Sequence, residues 1–241
     1  MDDSMGEQFD DSDLNITEEV AAPTTQDFGL DDINTSDTEA LTASQVIELM
    51  ESAWLNEKFS PEILPHKTEI VDCLLGQISY MEENLENLES NDFQKSLHQM
   101  ETYRLRYLVT SYLRIRLEKI EMFNYEILKQ EEVREEKNEE SYLSAGELQF
   151  AKEYKENLEQ HFDNVLSFWP GLPPDDWKKE YIKPNLHSFV FLKSKTEIEG
   201  VIIDDGNEED GDLVDFKNGS QMIISYNSVS NLVKKGDVQL I

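Results

Sequence analysis

The sequence is poor in the residues that build metal centres and covalent cross-links. Its 241 residues include one cysteine, Cys73, and four histidines, His66, His98, His161 and His187. A lone cysteine excludes an intramolecular disulfide, which is typical of a reducing compartment such as the cytosol or the nucleus. Because no two histidines have the i, i+4 spacing of a helical zinc site, we interpret them as ordinary core or surface residues and expect no metal.

Basic charge is also scarce. The chain has 21 Lys and Arg against 52 Asp and Glu, so its formal net charge is −31. Nucleic-acid binders place basic side chains along the phosphate backbone, so this balance disfavours strong direct binding of nucleic acid. Residues 1–40 carry thirteen of the acidic residues and no Lys or Arg, which leaves −18 for the remaining 201 residues.

Motifs for catalysis and for membrane insertion are absent from the sequence. There is no GxxxxGK[ST] loop and no GxGxxG loop, which argues against nucleotide chemistry. Chance pairs among 52 carboxylates carry no information about acid–base catalysis. No stretch of about 20 apolar residues exists, so no membrane span is predicted. We therefore expect a protein that is not an enzyme, binds no cofactor and has no membrane partner.

Residues 1–41 are interpreted as a disordered acidic tail. The segment is rich in Asp, Glu, Ser and Thr and has few apolar residues, so it cannot offset the entropy of ordering. Its sparse apolar residues leave two hypotheses open. The tail either solubilises the protein or docks onto a partner, as mixtures of acidic and hydrophobic residues do.

Residues 42–168 are interpreted as an all-α domain. Thr42 has the position of an N-cap before the first amphipathic stripe. Further stripes predict helices over 68–88 and 92–124, the second about 50 Å long at about 1.5 Å per residue. A helix of this length exceeds what one compact domain needs, so we expect part of it to pack on another chain.

Two shorter features complete the helical part of the sequence. The highly charged stretch 129–140 predicts a loose connection or a frayed helix end. Ser144 and Glu147 match a capping box that opens a fourth helix, while Ser60 and Pro61 open a short separate segment. The Cys73 thiol lies within an apolar stripe and is interpreted as a small core residue.

The period of the apolar residues shortens after a Pro-rich stretch, 169–186, which we interpret as a linker. Short alternating runs then predict a small β-domain over 187–241, with one helical turn near Ser228. The fold class is therefore α+β, an N-terminal all-α domain followed by a small C-terminal β-domain. The last run, 238–241, is expected to be a buried strand. Its Val238 and Leu240 would share one face, and Gln239 and Ile241 the other.

One segment of the predicted third helix is unusually basic and aromatic. It contains Arg104, Arg106, Arg114, Arg116 and Lys119, interleaved with Tyr103, Tyr107 and Tyr112. Three hypotheses remain open for it: ion pairs within or between subunits, solvated surface charge, or a contact with DNA. The basic positions spread around the helix, which favours several separate contacts over one phosphate track.

The end of the first predicted helix carries Trp54, Asn56 and Lys58. An isolated tryptophan is usually a core residue because its ring buries a large apolar area. We interpret Trp54 as a core anchor, with an interface role as the alternative.

Several longer words of the sequence resemble one known family. They are AWLNEKFSPEIL (53–64), MEENL (81–85), RYLVTSYLRIRLEKIE (106–121), YIKPNLHSFVFLK (181–193), KNGSQMIISY (217–226) and the final VQLI. Their order and spacing resemble the Sld-five family of the eukaryotic GINS replication complex over about residues 42–241. The segment 1–40 is outside the resemblance.

The resemblance implies a nuclear, non-catalytic scaffold. GINS is a heterotetramer of four related subunits that joins the MCM ring and the Cdc-forty-five protein in the CMG replicative helicase. In this family the helical domains form the body, and the small β-domain docks elsewhere on the assembly. We expect Trp54, Asn56 and Lys58, the basic and aromatic segment, and Val238, Leu240 and Ile241 to serve subunit contacts or structure.

The resemblance also suggests a role for the acidic tail. The word GLDDIN (29–34), with Leu30, Asp31, Asp32 and Ile33, is weakly similar to a peptide by which some family members bind a trimeric replisome hub. A replisome hub or a polymerase is therefore a further expected partner. The alternative hypothesis for the whole chain is a free-standing acidic adaptor that recruits regulatory partners through this tail.

Overall fold

The computed structural model describes residues 41–88, 93–168, 181–203 and 212–241. Within it, Thr42–Ile241 forms one compact unit, which is described here by itself. Residues 1–40 of the expected tail, with its docking residues 30–33, and most of the expected linker lie outside the described residues. No described helix is both long enough and apolar enough to cross a membrane.

The described residues of the N-terminal part of this unit form five helices. They are α1 (Ala43–Phe59), α2 (Thr68–Glu86), α3 (Phe93–Met122), α4 (Asn124–Lys137) and α5 (Ala145–Leu166). The side chain of Thr42 accepts a hydrogen bond from the Gln45 amide, and the Gln45 side chain reaches back, so this N-cap is confirmed. The predicted capping box of Ser144 and Glu147 is also present at the start of α5.

Three predictions about the helical region are wrong. The helix expected to run through Asn124 ends at Met122, and α4 starts immediately after the break at Phe123. Of the two alternatives for 129–140, the loose connection is wrong, because residues 129–137 belong to α4, which buries Ile127, Leu128 and Glu131 and ends at Lys137 within the stretch. Tertiary burial therefore overrides a weak local pattern. The segment after Pro61 is an irregular loop, residues 60–67, rather than a helical turn.

The C-terminal part contains a sheet domain. Its elements are β1 (Phe189–Ser194), β2 (Ile198–Ile203), β3 (Asp212–Phe216), β4 (Gln221–Ser225), α6 (Tyr226–Lys235) and β5 (Val238–Leu240). Strands β4, β1 and β5 form an antiparallel sheet in that order, and β2 pairs with β3 as a hairpin. Helix α6 has ten residues, so the single turn expected near Ser228 is too short. The α+β fold class, helices followed by a small sheet domain, is confirmed.

Three buried clusters form the core. Two lie in the helical region: one joins α1, α2 and α3, and the other surrounds Ile120, Ile127 and Ala151. The third fills the sheet domain and includes Val238 and Leu240, both fully buried. Leu64, from the loop 60–67, belongs to this third cluster, so the helical region contributes a side chain to the core of the sheet domain. Cys73 packs against the first cluster.

Candidate functional site

Four charged side chains form a buried ionic cluster at the centre of the helical region. Its members are Glu57 on α1, Arg116 and Lys119 on α3, and Glu147 on α5. The side chains of Arg116 and Glu57 are 0% and 1% exposed. Two positive and two negative charges balance, as burial away from water requires.

Arg116 makes the contacts that hold this ionic cluster together. Its Nε donates to Glu147 Oε1 at 2.7 Å, and its terminal nitrogens donate to Glu147 Oε2 at 3.0 Å and to Glu57 Oε2 at 3.1 Å. The same nitrogens donate to the backbone oxygens of Leu64 at 2.7 Å and Tyr142 at 2.8 Å. All five guanidinium donors are therefore used, and one side chain ties α1, α5 and two loops to α3.

Lys119 secures the end of α1 and the loop that follows it. Its Nζ donates to Glu57 Oε1 at 2.7 Å and to the Glu62 backbone oxygen at 2.8 Å. Burial lowers the pKa of Lys119, and the attraction of Glu57 only partly offsets this effect. Burial acts in the opposite direction on a carboxyl group and by itself would raise the pKa of Glu147. The hydrogen bonds from Arg116 outweigh this effect and hold the pKa of Glu147 below its usual value.

A second set of polar contacts joins the helical region to the sheet domain, and we call it the seam. Glu62 Oε1 accepts hydrogen bonds from Tyr226 Oη at 2.9 Å and from Lys234 Nζ at 2.7 Å, both on α6. The Leu240 amide donates to Asn56 Oδ1 at 2.8 Å. Burial, followed by the nearby Glu62 carboxylate, raises the pKa of Tyr226, which keeps its hydroxyl a donor.

Two further contacts complete the seam. Lys195 Nζ donates to Ser52 Oγ at 2.6 Å, and Lys234 Nζ lies 5.7 Å from the ring centroid of Tyr142. The family resemblance implies a C-terminal domain that docks elsewhere on an assembly. In this structure it docks on its own helices.

The segment singled out as basic and aromatic divides into an inner and an outer set. The inner set, Tyr112, Arg116 and Lys119, is buried, and the Arg116 guanidinium carbon lies 5.6 Å from the Tyr112 ring centroid. Burial raises the pKa of Tyr112 to about 12. In the outer set, Arg104 pairs with Glu51 at 2.5 Å and Arg106 pairs with Glu82.

The remaining basic member of the outer set, Arg114, is exposed and forms no ion pair with any residue in the described ranges. Its guanidinium therefore stays in water, two residues from the buried Arg116. Exposed Arg114 and buried Arg116 therefore have opposite environments, although they are only two residues apart on α3. The sequence alone does not reveal this difference.

The other predicted site residues lie on α1 and at the C-terminus. Trp54 is half-buried, donates to Ser111 Oγ at 2.9 Å and meets the Tyr107 ring edge-on at 6.4 Å. Lys58 Nζ lies 5.0 Å from the centroid of the Trp54 ring. At the C-terminus, Val238 and Leu240 share the buried face and Ile241 does not, as expected, but the run 238–241 is not buried throughout, because Ile241 is 46% exposed. It continues past β5 on the outer face.

One helix face stays uncovered, and we call it the α3 face. Its residues Phe93, Leu97, Met100, Tyr103 and Tyr107 are 79%, 55%, 69%, 55% and 63% exposed. Recurrence at intervals of three or four residues places them on one side of α3. Contiguous exposed apolar patches of this kind mark protein–protein contact sites in soluble proteins.

Sequence reasoning missed Glu57, Glu62, Glu147, Tyr226 and Lys234 as parts of the site. Glu147 had a signal, the capping box, but that role gives no hint of its second contact with Arg116. Glu62 and Lys234 look like ordinary surface charges in the sequence. Among the described residues, no group of three His, Cys, Asp or Glu side chains is placed to hold a metal ion.

Comparison with known proteins identifies the class of this architecture. Residues 74–166 match the family described as the GINS complex protein helical bundle domain. Residues 184–241 match the family described as the C-terminus of the DNA replication complex GINS protein SLD5. A helical bundle followed by this C-terminal domain defines a GINS-type protein.

Individual relatives agree along most of the chain. The mouse DNA replication complex GINS protein SLD5 is 44% identical over 216 residues, which cover 88% of this chain and 96% of the relative. The human protein of the same name is 42% identical and covers 94% of this chain and 100% of its own length. The protein from Arabidopsis thaliana is 33% identical and covers 86% and 96%. The chain belongs to the SLD5 family of DNA replication complex GINS proteins.

Proposed function

We propose that the chain is a non-catalytic structural subunit of a GINS heterotetramer in the nucleus. Its partners would be three sister GINS subunits. Through that complex it would help to join the MCM ring and the Cdc-forty-five protein in the CMG replicative helicase. The proposal rests on membership of the SLD5 family together with the uncovered α3 face.

The α3 face carries the structural part of this proposal. Helix α3 has 30 residues, about 45 Å at about 1.5 Å per residue, and its inner side already packs on α1, α2 and α5. Five large apolar side chains on the outer side contact water in the free chain. A helix from a sister subunit would remove this area from water and stabilise the complex by the hydrophobic effect.

Co-expression tests the proposal directly. The chain and the three sister subunits are expressed together, with one affinity tag on a sister subunit. An equimolar four-chain complex in size-exclusion chromatography is the expected result. A chain that stays monodisperse and monomeric beside its co-expressed sisters would contradict it, and would favour the free-standing acidic adaptor.

A pair of substitutions tests whether the sister subunits bind the α3 face. Met100→Asp puts a charge at the centre of the face and should abolish co-purification, since an unpaired charge in an interface costs several kcal/mol. Glu153→Lys, an exposed charge change on α5, is the matched control and should leave assembly unchanged. Equal co-purification of both variants would show that the sister subunits bind elsewhere.

A further inference from the structure

The seam depends on one carboxylate. Glu62 Oε1 accepts from Tyr226 Oη at 2.9 Å and from Lys234 Nζ at 2.7 Å, so two side chains of α6 are tied to one oxygen. The residue is 8% exposed and Tyr226 is fully buried. Charge-assisted hydrogen bonds in such surroundings are stronger and more directional than exposed ones.

The boundary between the helical region and the sheet domain also contains one buried apolar contact and a small cavity. Leu64 is the buried apolar side chain that the helical region contributes to the core of the sheet domain. A cavity of about 40 Å³ beside it is lined by Asn56, Leu64, Val233 and Lys234 among others. Polar and apolar side chains both line this cavity, so the two parts are not closely packed there. Polar contacts between domains specify an orientation more than they add stability.

Each side of the seam has what it needs to stay folded when the other side moves away. The sheet domain has its own buried cluster, including Leu192, Phe216 and Val229. On the helical side, the Glu62 backbone oxygen is held by Lys119 Nζ at 2.8 Å, and this contact is independent of the Glu62 carboxylate. Lys119 therefore holds the loop 60–67 on the helical region even when the Glu62 carboxylate has lost its partners on α6.

We propose that Glu62 is a releasable lock that sets the position of the C-terminal sheet domain on the helical region. With the lock closed, α6 and β5 rest on α1 and the loop 60–67. With the lock open, the sheet domain moves as a folded unit. This inference concerns contacts within one chain and goes beyond the proposed role as a GINS subunit.

The lock sets the orientation of an exposed apolar surface of the sheet domain relative to the helices. The outer side of the sheet carries Phe189, Phe191 and Ile223, which are 76%, 61% and 59% exposed in the docked position. Phe191 and Ile223 are direct cross-strand neighbours. Closing the lock holds this apolar surface in one direction relative to the helices, and opening it frees that direction.

Paired spin labels test the lock in the full-length chain. Cysteines replace two exposed residues, Lys152 on α5 and Lys217 after β3, in a Cys73→Ser background. Electron–electron distance measurements then compare the unaltered lock with Glu62→Gln and Lys234→Met. The matched control is Glu82→Gln, which removes an exposed carboxylate paired with Arg106 within the helical region.

If Glu62 is the lock, the labelled protein with Glu62 and Lys234 unaltered and the Glu82→Gln control should each give one narrow distance distribution. Glu62→Gln and Lys234→Met should each give a broad one. Hydrogen exchange of the Leu240 amide, which donates to Asn56 across the seam, should rise about tenfold or more in the lock variants. Amides of α3 and β1 should keep their protection, because both cores stay folded. Narrow distributions in both lock variants, or loss of protection in the two cores together, would overturn the proposal.

Discussion

Replacing Arg116 by methionine tests the energetic role of the ionic cluster. Methionine keeps most of the length of the side chain and removes the charge together with all five donors. Glu147 then loses its bidentate partner, and Glu57 keeps only Lys119 and the Leu64 amide. The backbone oxygens of Leu64 and Tyr142 lose the hydrogen bonds that Arg116 supplied.

The expected loss of folding stability follows from the ion pairs and hydrogen bonds that Arg116→Met removes. Removing one partner of a buried ion pair leaves an uncompensated charge and destabilises a protein by about 3–5 kcal/mol. Proton uptake by Glu147 relieves part of that cost, since a neutral carboxyl tolerates burial better. We expect Arg116→Met to lower the free energy of unfolding by about 3–4 kcal/mol, a large share of a typical total of about 5–15 kcal/mol.

Denaturant unfolding of the full-length chain, followed by circular dichroism, measures this change. Arg114→Met is the matched control, because Arg114 is exposed on the same helix two residues away. Its effect should stay within about 0.5 kcal/mol. Arg116→Lys should fall between the two, because lysine keeps the charge but lacks the planar fork. A loss below about 1 kcal/mol for Arg116→Met would refute the assigned role of the ionic cluster.

Three other predictions address different parts of the chain. Removing residues 238–241 deletes two fully buried side chains, Val238 and Leu240, at about 1.5–3 kcal/mol each, so the sheet domain should become protease-sensitive while the helices resist. Equal resistance of the truncated and full-length proteins would exclude this. The pKa of Glu147 is lower in the folded state than its reference value of 4.5, so its contribution is present above that pH and is lost as the pH falls below it. Glu147→Gln should therefore flatten the acid limb of stability against pH in thermal unfolding, and an unchanged limb would contradict the shift. Deleting residues 1–40, the most acidic segment, should leave the co-expressed complex intact by size-exclusion chromatography, and loss of the complex would show a role in assembly.

Local patterns predicted most of the secondary structure for identifiable reasons. Thr42 and the pair Ser144 and Glu147 carry capping signals that act over three residues, so the sequence around them suffices. The alternation at Val238 and Leu240 likewise indicates which strand face is buried. Errors fell at Phe123 and in α4, where burial of Ile127 and Leu128 decides the outcome. Patterns over a few neighbouring residues do not show that the tertiary structure buries these side chains. The loop 60–67 and the length of α6 were also predicted wrongly.

The sequence by itself determined the class of protein, because amphipathic stripes, caps, strand alternation and family-specific words are all local in the chain. Only the tertiary structure decided which charges act. Arg116 and Arg114 look alike in the sequence, yet one is fully buried and the other is exposed. The partners of Arg116 in the ionic cluster lie 31 and 59 residues away, and Glu62 meets Tyr226 across 164 residues. A charge acquires its strength from the dielectric and the partners around it, and packing between distant segments creates both.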